Sequence, residues 1–416
     1  MDARVGRLLL GAPRIAVFSV LVSGTAACSE ALETPGSTFT VWDSAGVPIV
    51  HSEGPLWNTS PGWSLSEQPL VEIGVRFGAE SHTLSNVGDV IRLPGDRIAV
   101  VNTGTAQIRV YSISGEHLQD LVRSGDGPGE FRRVRRLWVT PHDSVMAYDG
   151  SLSRVTVYAP ELSLVRTMAI RPQGGASQAF VLRSFDDGQL LVDEIIRPPG
   201  RPRAGLFSGG VRRFTRYSSD GARVNTIGEL AASNNWGFST GDAFAYTTAP
   251  FSVIFPPSQG DGRSLYLGPG LLPQVEHRSP SGQLIRVIRW SEARRAVDSE
   301  VIEQFRTWRL GLLDDPDYRQ STLAMLEGLE FPELIPVYQS LRVDLEGHLW
   351  VERYRTRGEE DRRWWVFDPD GRWLGEPPVP TDIDVKEVGS DYLLGVRRDD
   401  LDVESVVMYR LDRTES

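Results

Sequence analysis

A repeat with a constant offset of 47 residues constrains the fold of this chain most strongly. No gap is needed anywhere in the aligned unit, and most of the matched residues are apolar. The matched pairs are Val90 with Leu137, Pro94 with Pro141, Asp96 with Asp143, Ile98 with Val145, Ile108 with Val155, Val110 with Val157 and Tyr111 with Tyr158. An internal repeat of this length indicates one supersecondary unit that is copied along the chain.

Each unit is predicted to contain four antiparallel strands. An apolar first strand is followed by strands at about 97–101, 108–111 and 118–122, with polar or Gly-containing turns between them. Apolar residues alternate with polar ones in the third strand, and turn residues punctuate the unit, which is typical of antiparallel β-structure. Four strands in a unit of this length is the layout of a propeller blade.

Looser copies of the unit follow downstream and bring the number to six. The second-strand element recurs at 188–192, 262–266, 347–351 and 391–395. We therefore predict an all-β fold, a six-bladed β-propeller. The last copy ends near the C-terminus without room for a fourth strand, so we expect the short apolar segment at 70–73 to complete it. Such closure would remove exposed sheet edges.

One region departs from the strand pattern. Between about 292 and 329 the apolar residues take helical spacing, as at Val301, Phe305 and Trp308, and Pro316 favours the start of a second helix. We predict a short helical insertion between the fourth and fifth blades, lying over one face of the propeller. It is either a packing cap or a lid or docking surface.

The N-terminus has the layout of a bacterial export signal. Residues 1–27 combine a basic start, a short apolar run and small residues, and the only cysteine, Cys28, follows them directly. We predict a lipoprotein-like signal peptide at 1–27, lipid attachment at Cys28, a flexible tether at 28–37 and the propeller at 38–416. This predicts an exported protein, either an outer-membrane lipoprotein or a periplasmic or extracellular one. The alternative is an ordinary secretory signal with an incidental cysteine.

Several segments resemble the bacterial six-bladed propeller family related to NHL-repeat proteins. The Gly-rich stretch 125–131 resembles the family's interblade connection, 341–351 resembles a later blade core, and 43–47 resembles the start of its exported members. The resemblance implies the fold, but it implies little about function, because one fold hosts many activities. Relatives of this kind bind proteins, peptides or RNA, while other six-bladed propellers are lactonases, lyases or signalling receptors.

The distribution of charge narrows the choice of partner. The net charge is −11, with 44 basic and 55 acidic residues, which argues against nucleic acid as the main partner. The sharpest basic cluster is Arg132, Arg133, Arg135 and Arg136. Because it precedes an inner strand, we predict a cationic rim at the mouth of the channel that binds an anionic ligand through bidentate hydrogen bonds. The alternative is a solvated loop with salt bridges.

No motif indicates catalysis. The single cysteine allows neither an intrachain disulfide nor a Cys-based metal cluster, and the six histidines show no ligand spacing such as i, i+4. The segment 237–241 matches G-x-S-x-G, but it reads as a loop rather than the strand-to-helix turn of a hydrolase. We predict no catalytic residue, no metal ligand and no cofactor.

The leading interpretation is a binding or scaffold module for a protein, peptide or glycan partner, held at the membrane by the lipid on Cys28 and without affinity for nucleic acid. The alternative is a metal-dependent propeller hydrolase or lyase of lactonase type, in which calcium is held by inward carboxylates. A third possibility is a subunit of an outer-membrane assembly or transport machine. An arginine-lined channel would argue against the metal-dependent hydrolase.

Overall fold

The structure is a computed structural model. It describes residues 38–57, 62–121, 123–240, 243–252, 258–259, 262–311, 316–356, 359 and 361–413. The predicted signal peptide, Cys28 and the predicted tether lie outside the described residues. Within the described part of the chain, no helix is both long and apolar enough to cross a bilayer.

Antiparallel sheets follow one another along the first half of the chain. Sheet I contains Val87–Leu93, Arg97–Asn102, Gln107–Ser112 and His117–Asp120. Sheet II contains Val134–Val139, Val145–Asp149, Arg154–Tyr158 and Leu164–Ala169. Sheet III contains Gln178–Ser184, Leu190–Ile196, Val211–Tyr217 and Arg223–Ala231. In each sheet the strands are ordered as they are in the sequence.

The second half of the chain repeats this layout. Sheet IV contains Ser258–Gln259, Leu265–Leu267, Gln274–Arg278 and Leu284–Trp290. Sheet V contains Tyr338–Val343, Leu349–Arg353, Trp364–Phe367 and Trp373–Gly375. Sheet VI contains Ile383–Val388, Tyr392–Arg398 and Glu404–Arg413. The chain is thus mostly β, and four-stranded antiparallel sheets dominate it.

Hydrophobic clusters join each sheet to the next and the last sheet to the first. Adjacent residues of a strand point to opposite faces of its sheet. In sheet I, Ala99 and Val101 pack against sheet II, while Ile98 and Val100 pack against sheet VI. Similar clusters join II to III, III to IV, IV to V and V to VI. The sheets therefore form a closed ring, and strands that are buried on both faces are mainly apolar.

Segments from the N-terminal side complete two of the sheets. The strand that was expected at 70–73 is present as Val71–Ile73, and it pairs antiparallel with Val406–Met408 of sheet VI. Trp63–Leu65 pairs further along the same long strand. The hairpin of Phe39–Ser44 and Val47–Ser52, which the repeat did not predict, extends sheet IV by parallel pairing with Leu284–Trp290.

Two helices occupy the region of helical spacing between sheets IV and V. They are α1, Ser299–Gly311, and α2, Pro316–Glu327, which begins at the expected proline. From α2, Met325 and Leu326 pack on Trp236 of a small additional sheet that no repeat unit predicted. The strands of this sheet are Gly205–Phe207, Asn235–Thr240 and Ala243–Thr248.

Short elements complete the described structure. Two strands pair in parallel at the Gly-rich connection between sheets I and II, and two 3₁₀ turns lie within the segment from 80 to 105. These elements are Arg123–Ser124, Glu130–Phe131, Glu80–His82 and Thr103–Thr105.

Candidate anion-binding cavity

A cavity with a volume of about 910 Å³ lies beside sheet III. Its walls come from the inner strands of sheets II and III, from the loop between the second and third strands of sheet III, and from the small additional sheet. We call it the arginine cavity, because six arginines line it. They are Arg135, Arg136, Arg197, Arg201, Arg203 and Arg212. This is a local concentration of positive charge in a protein whose net charge is −11.

The structure places two of the four arginines of the predicted cluster at this cavity. The inner strand of sheet II begins at Val134 rather than near Leu137, so Arg135 and Arg136 are strand residues and not loop residues. Both side chains line the arginine cavity. Arg136 also lines a second, smaller cavity at the centre of the ring of sheets.

The other two arginines of the cluster do not line either cavity. The guanidinium group of Arg132 forms a bidentate ion pair with Asp126 in the Gly-rich connection, with both N–O distances 2.5 Å. Arg133 has an exposed side chain, and its backbone N–H donates to the Asp149 carboxylate at 3.0 Å. The cluster is therefore divided: one pair of side chains belongs to the connection and the other pair to the cavity.

Three further arginines come from a long loop between two strands of sheet III. This connection spans 197–210 and includes the short strand Gly205–Phe207, whereas the corresponding connections of sheets I and II contain four residues each, 103–106 and 150–153. Arg197, Arg201 and Arg203 alternate with prolines in this loop and are exposed. Within the described residues, none of the three makes an ion pair, and neither do Arg135 and Arg136.

Arg212 differs from the other five because its charge is already balanced. It forms a buried ion pair with Asp193 on the neighbouring strand, and its Nε donates to Asp193 Oδ1 at 3.2 Å. Burial raises the pKa of Asp193, although the hydrogen bond and the charge of Arg212 oppose that rise. The other five arginines make no ion pair with any residue that the structure describes.

The rest of the cavity surface is largely apolar and aromatic. The rings of Phe207 and Tyr246 meet edge to face, with centroids 5.8 Å apart, and Pro198 and Pro202 add rigid apolar surface. Burial raises the pKa of Tyr148 to about 12, so its phenol stays protonated at neutral pH and adds no negative charge. A site of this kind suits a ligand that has both acidic groups and an apolar body.

The smaller cavity lies where the inner strands of sheets I, II, III, V and VI meet, and its volume is about 130 Å³. We call it the channel cavity. Its charged lining residues are Asp89, Arg136, Arg183, Arg342, Lys386 and Glu387. Three of these residues are equivalent in the repeat, 47 residues apart: Asp89, Arg136 and Arg183. Each lies in the inner strand of its sheet, directly after a shift in the pairing register with the next strand.

This donor set does not suit calcium, which prefers six to eight oxygen ligands. Four of the six charged side chains that line the channel cavity are basic and would repel a divalent cation. Within the described residues, no cluster of three or more His, Cys, Asp or Glu side chains has the arrangement of a metal site. The residues present therefore do not fit the calcium centre that the alternative interpretation requires.

The hydrolase-like pattern at 237–241 has a different environment from the one expected. Residues 237–240 belong to the strand Asn235–Thr240 rather than to a loop, because the segment pairs with Ala243–Thr248. Gly241 lies outside the described residues. A serine within a paired strand is not at a strand-to-helix turn, so the geometry of a nucleophile elbow is not present.

Sequence reasoning missed the arginines of the long loop and, in the channel cavity, Arg183, Arg342 and Lys386. Two signals were available for them. The first signal was the repeat itself: one position before Val90 and Leu137, the 47-residue offset aligns Asp89 with Arg136. Adding a second offset of 47 residues to Arg136 gives Arg183. The unusually long loop at 197–210 was the second signal, since long loops on a rigid scaffold often carry function.

Comparison with known proteins gives structural similarity only. No protein-family model and no curated protein sequence matches the chain. A solved protein from Bacteroides fragilis that is assigned as exported has a TM-score of 0.48 and 12% identity, covering 87% of this chain and 98% of its own. A DUF4221 family member from Bacteroides vulgatus has a TM-score of 0.47 and 13% identity, with 84% and 99% covered. A gluconolactonase from Xanthomonas campestris has a TM-score of 0.43 and 11% identity, with 79% and 86% covered. Similarity at this level assigns neither a family nor a function.

Proposed function

We propose that this protein is an exported binding module, and that its arginine cavity binds an acidic, partly apolar segment of a peptide or protein partner. The observation that carries the proposal is the set of five arginines without ion-pair partners among the described residues, on an apolar wall, in a chain of net charge −11. Arginine suits this role because its planar fork binds carboxylates through two parallel hydrogen bonds.

A peptide fits this cavity better than a neutral glycan does. A neutral glycan offers hydroxyl groups but no charge to balance the five arginines. A peptide can present carboxylates to Arg201 and Arg203 while its apolar side chains contact Phe207, Tyr246 and the prolines. The basic lining of the channel cavity weighs against the alternative of a metal-dependent hydrolase or lyase of lactonase type.

The proposed architecture is a six-bladed propeller related to the NHL-repeat group, with sheets I to VI as the blades. The closed ring of interblade clusters and the pairing of Val71–Ile73 with the last sheet support it. In this proposal the two helices form an insertion between the fourth and fifth blades. The propeller would be a rigid frame that holds the long loop at 197–210 beside the inner strands.

Peptide binding is the direct test of the proposed function. The probe is a fluorescent peptide of alternating glutamate and leucine, and fluorescence anisotropy reports its affinity. The double variant Arg201→Gln, Arg203→Gln is expected to weaken binding at least tenfold, because each charge-assisted hydrogen bond contributes roughly 1.5–3 kcal/mol. A matched control is Arg410→Gln, an exposed arginine of sheet VI whose side chain is 59% exposed and lies outside the cavity lining.

The same peptide with glutamine in place of glutamate separates charge recognition from apolar contact. The proposal predicts that the glutamine peptide binds at least tenfold more weakly and loses its sensitivity to the arginine substitutions. Equal binding of both peptides, or no binding of the acidic peptide to the wild-type protein, would contradict the proposed function.

Attachment to a membrane through Cys28 is a separate part of the proposal. We expect the full chain, expressed in a Gram-negative host, to fractionate with membranes and to incorporate labelled fatty acid. The variant Cys28→Ser is expected to lose the label and to appear in the soluble fraction, because several acyl chains anchor a protein stably and their loss removes the anchor. Retention of the label in Cys28→Ser would refute lipid attachment at that residue.

A further inference from the structure

One arginine that lines the channel cavity has a buried guanidinium nitrogen to which no described residue hydrogen-bonds. Arg342, on the inner strand of sheet V, donates from Nη1 to the backbone carbonyl of Lys386 at 3.0 Å. Its Nε is buried and has no hydrogen-bond partner, and Arg342 makes no ion pair with any residue that the structure describes. A buried donor without a hydrogen-bond partner is unfavourable, so this guanidinium group can still bind an acceptor.

A second arginine adds to the positive charge of the channel cavity. Arg136 of sheet II also lines the channel cavity and has no ion-pair partner within the described residues. Burial lowers the pKa of Arg342 and the charge of Arg136 lowers it further, whereas the charges of Asp384, Asp89 and Glu352 raise it. Two guanidinium groups that act on each other across a small cavity favour an anion between them.

The acidic residues of the channel cavity are already engaged with other groups. Asp89 accepts hydrogen bonds from the backbone N–H groups of Val90 at 3.1 Å and Leu137 at 2.9 Å. Glu387 accepts from the backbone N–H of Arg92 at 2.9 Å and from the hydroxyl of Tyr392 at 2.6 Å. These carboxylates hold neighbouring sheets together.

Burial disfavours the charged form of one of these two acids. It raises the pKa of Glu387, although the hydrogen bonds from Tyr392 and from the backbone of Arg92 oppose that rise. The positive charge of the channel cavity is thus balanced only in part by its own acids.

We propose that the channel cavity is a binding site for a small oxyanion of the phosphate or sulfate class, held by Arg342 together with Arg136 and Lys386. The volume of about 130 Å³ corresponds to roughly four water molecules at about 30 Å³ each, which is enough for one such ion and too small for a peptide. Lys386, the only lysine of the chain, is mostly buried here and has Asp384 as a partner at 2.8 Å.

This site is separate from the proposed peptide site, although the two cavities are neighbours. Arg136 and Leu182 line both of them, whereas Arg342 and Lys386 line only the channel cavity, and Arg201 and Arg203 line only the arginine cavity. Substitutions on each side can therefore test each site without altering the other. The anion site does not depend on the proposed function.

Thermal denaturation of the full chain with added sodium phosphate or sulfate tests the proposal. Sodium chloride at matched ionic strength is the reference. We expect a saturable rise in Tm of about 3 °C at a hundredfold excess over Kd, because a ligand that binds only the folded state stabilises it by mass action. Isothermal titration with phosphate should give one site per chain.

Substitutions in the lining of the channel cavity, with a control outside it, test which residues bind the anion. Arg342→Met and, independently, Lys386→Met are expected to weaken phosphate binding at least tenfold, while Arg410→Gln, which lies outside the lining of both cavities, leaves it unchanged. Two substitutions guard against the failure of one variant to fold, and the conservative Arg342→Lys should keep part of the affinity. The proposal is wrong if chloride raises Tm as much as phosphate does, if the rise never saturates, or if folded Arg342→Met binds phosphate as the wild type does.

Discussion

Replacing Asp344 with alanine is expected to lower the free energy of unfolding by about 3–5 kcal/mol. The substitution leaves Trp350 and two backbone N–H groups without their buried acceptor, and Arg413 keeps only the longer ion pair with Glu346, at 3.2 Å, among the described carboxylates. The Asp344 side chain is fully buried in sheet V, and its Oδ2 accepts from Arg413 Nη2 at 2.8 Å and from Trp350 Nε1 at 3.1 Å. Oδ1 accepts from the backbone N–H groups of Glu346 and His348 at 3.0 and 2.8 Å. Urea denaturation followed by tryptophan fluorescence measures the effect.

The control for this substitution is Asp370→Ala. Asp370 is a turn residue of the same sheet, but its side chain is 62% exposed and its contact with Arg286 is 3.3 Å long. An exposed pair of this kind contributes at most about 1 kcal/mol. If Asp370→Ala destabilised the protein as much as Asp344→Ala, the buried network would not be the source of the stability.

The stabilisation by Asp344 should also depend on pH. Burial by itself raises the pKa of Asp344, but the hydrogen bond and charge of His348 and the charge of Arg413 outweigh it, so the pKa is lowered. A lowered pKa means that the contribution is fully present above the unfolded value of about 3.9 and is lost as the pH falls through the folded value. The difference between wild type and Asp344→Ala should therefore be constant at neutral pH and shrink below about pH 4.

Replacing Ile73 with alanine is expected to cost about 2–5 kcal/mol of unfolding free energy, although the residue lies in a strand of only three residues. Ile73 is 0% exposed and packs in the cluster that joins sheet VI to sheet I. This cluster is the point at which the ring of sheets closes, so its loss weakens contacts between the two ends of the chain. Chemical denaturation of the full chain gives the value.

Glu72 provides the matched control on the same strand. It points to the opposite face, is exposed, and its nearest ion-pair distance, to Arg397, is 3.7 Å. Glu72→Ala is expected to change the free energy of unfolding by less than about 1 kcal/mol. A small effect of Ile73→Ala would mean that the strand Val71–Ile73 contributes little to closure.

The two cavities give the same scaffold two different ligand environments. The arginine cavity is large and has apolar walls, so it suits a ligand that contributes both charge and hydrophobic surface. The channel cavity is small and its lining carries several charges, so it suits a compact ion. Phosphate should stabilise the protein without preventing peptide binding unless both ligands require Arg136.

The amino-acid sequence by itself determined the repeating unit of this protein. The 47-residue offset, the alternation of apolar residues and the turn residues depend on local geometry, so they predicted the strands of sheets I and II and the helical region with its start at Pro316. The strand at 70–73 was predictable because the last unit lacked room for a fourth strand. These features depend on contacts within one unit or on the number of residues that a unit contains.

Only the tertiary structure decided which charged residues meet. Arg132 and Arg136 are four residues apart in one basic cluster, yet Arg132 is paired with Asp126 while Arg136 faces two cavities. Arg342 meets Arg136 only because the ring brings sheets II and V to a common centre. Such encounters depend on the closure of the whole chain, because residues far apart in sequence are brought together only by packing between sheets. Local pattern can therefore predict the strands but not the sites that they form.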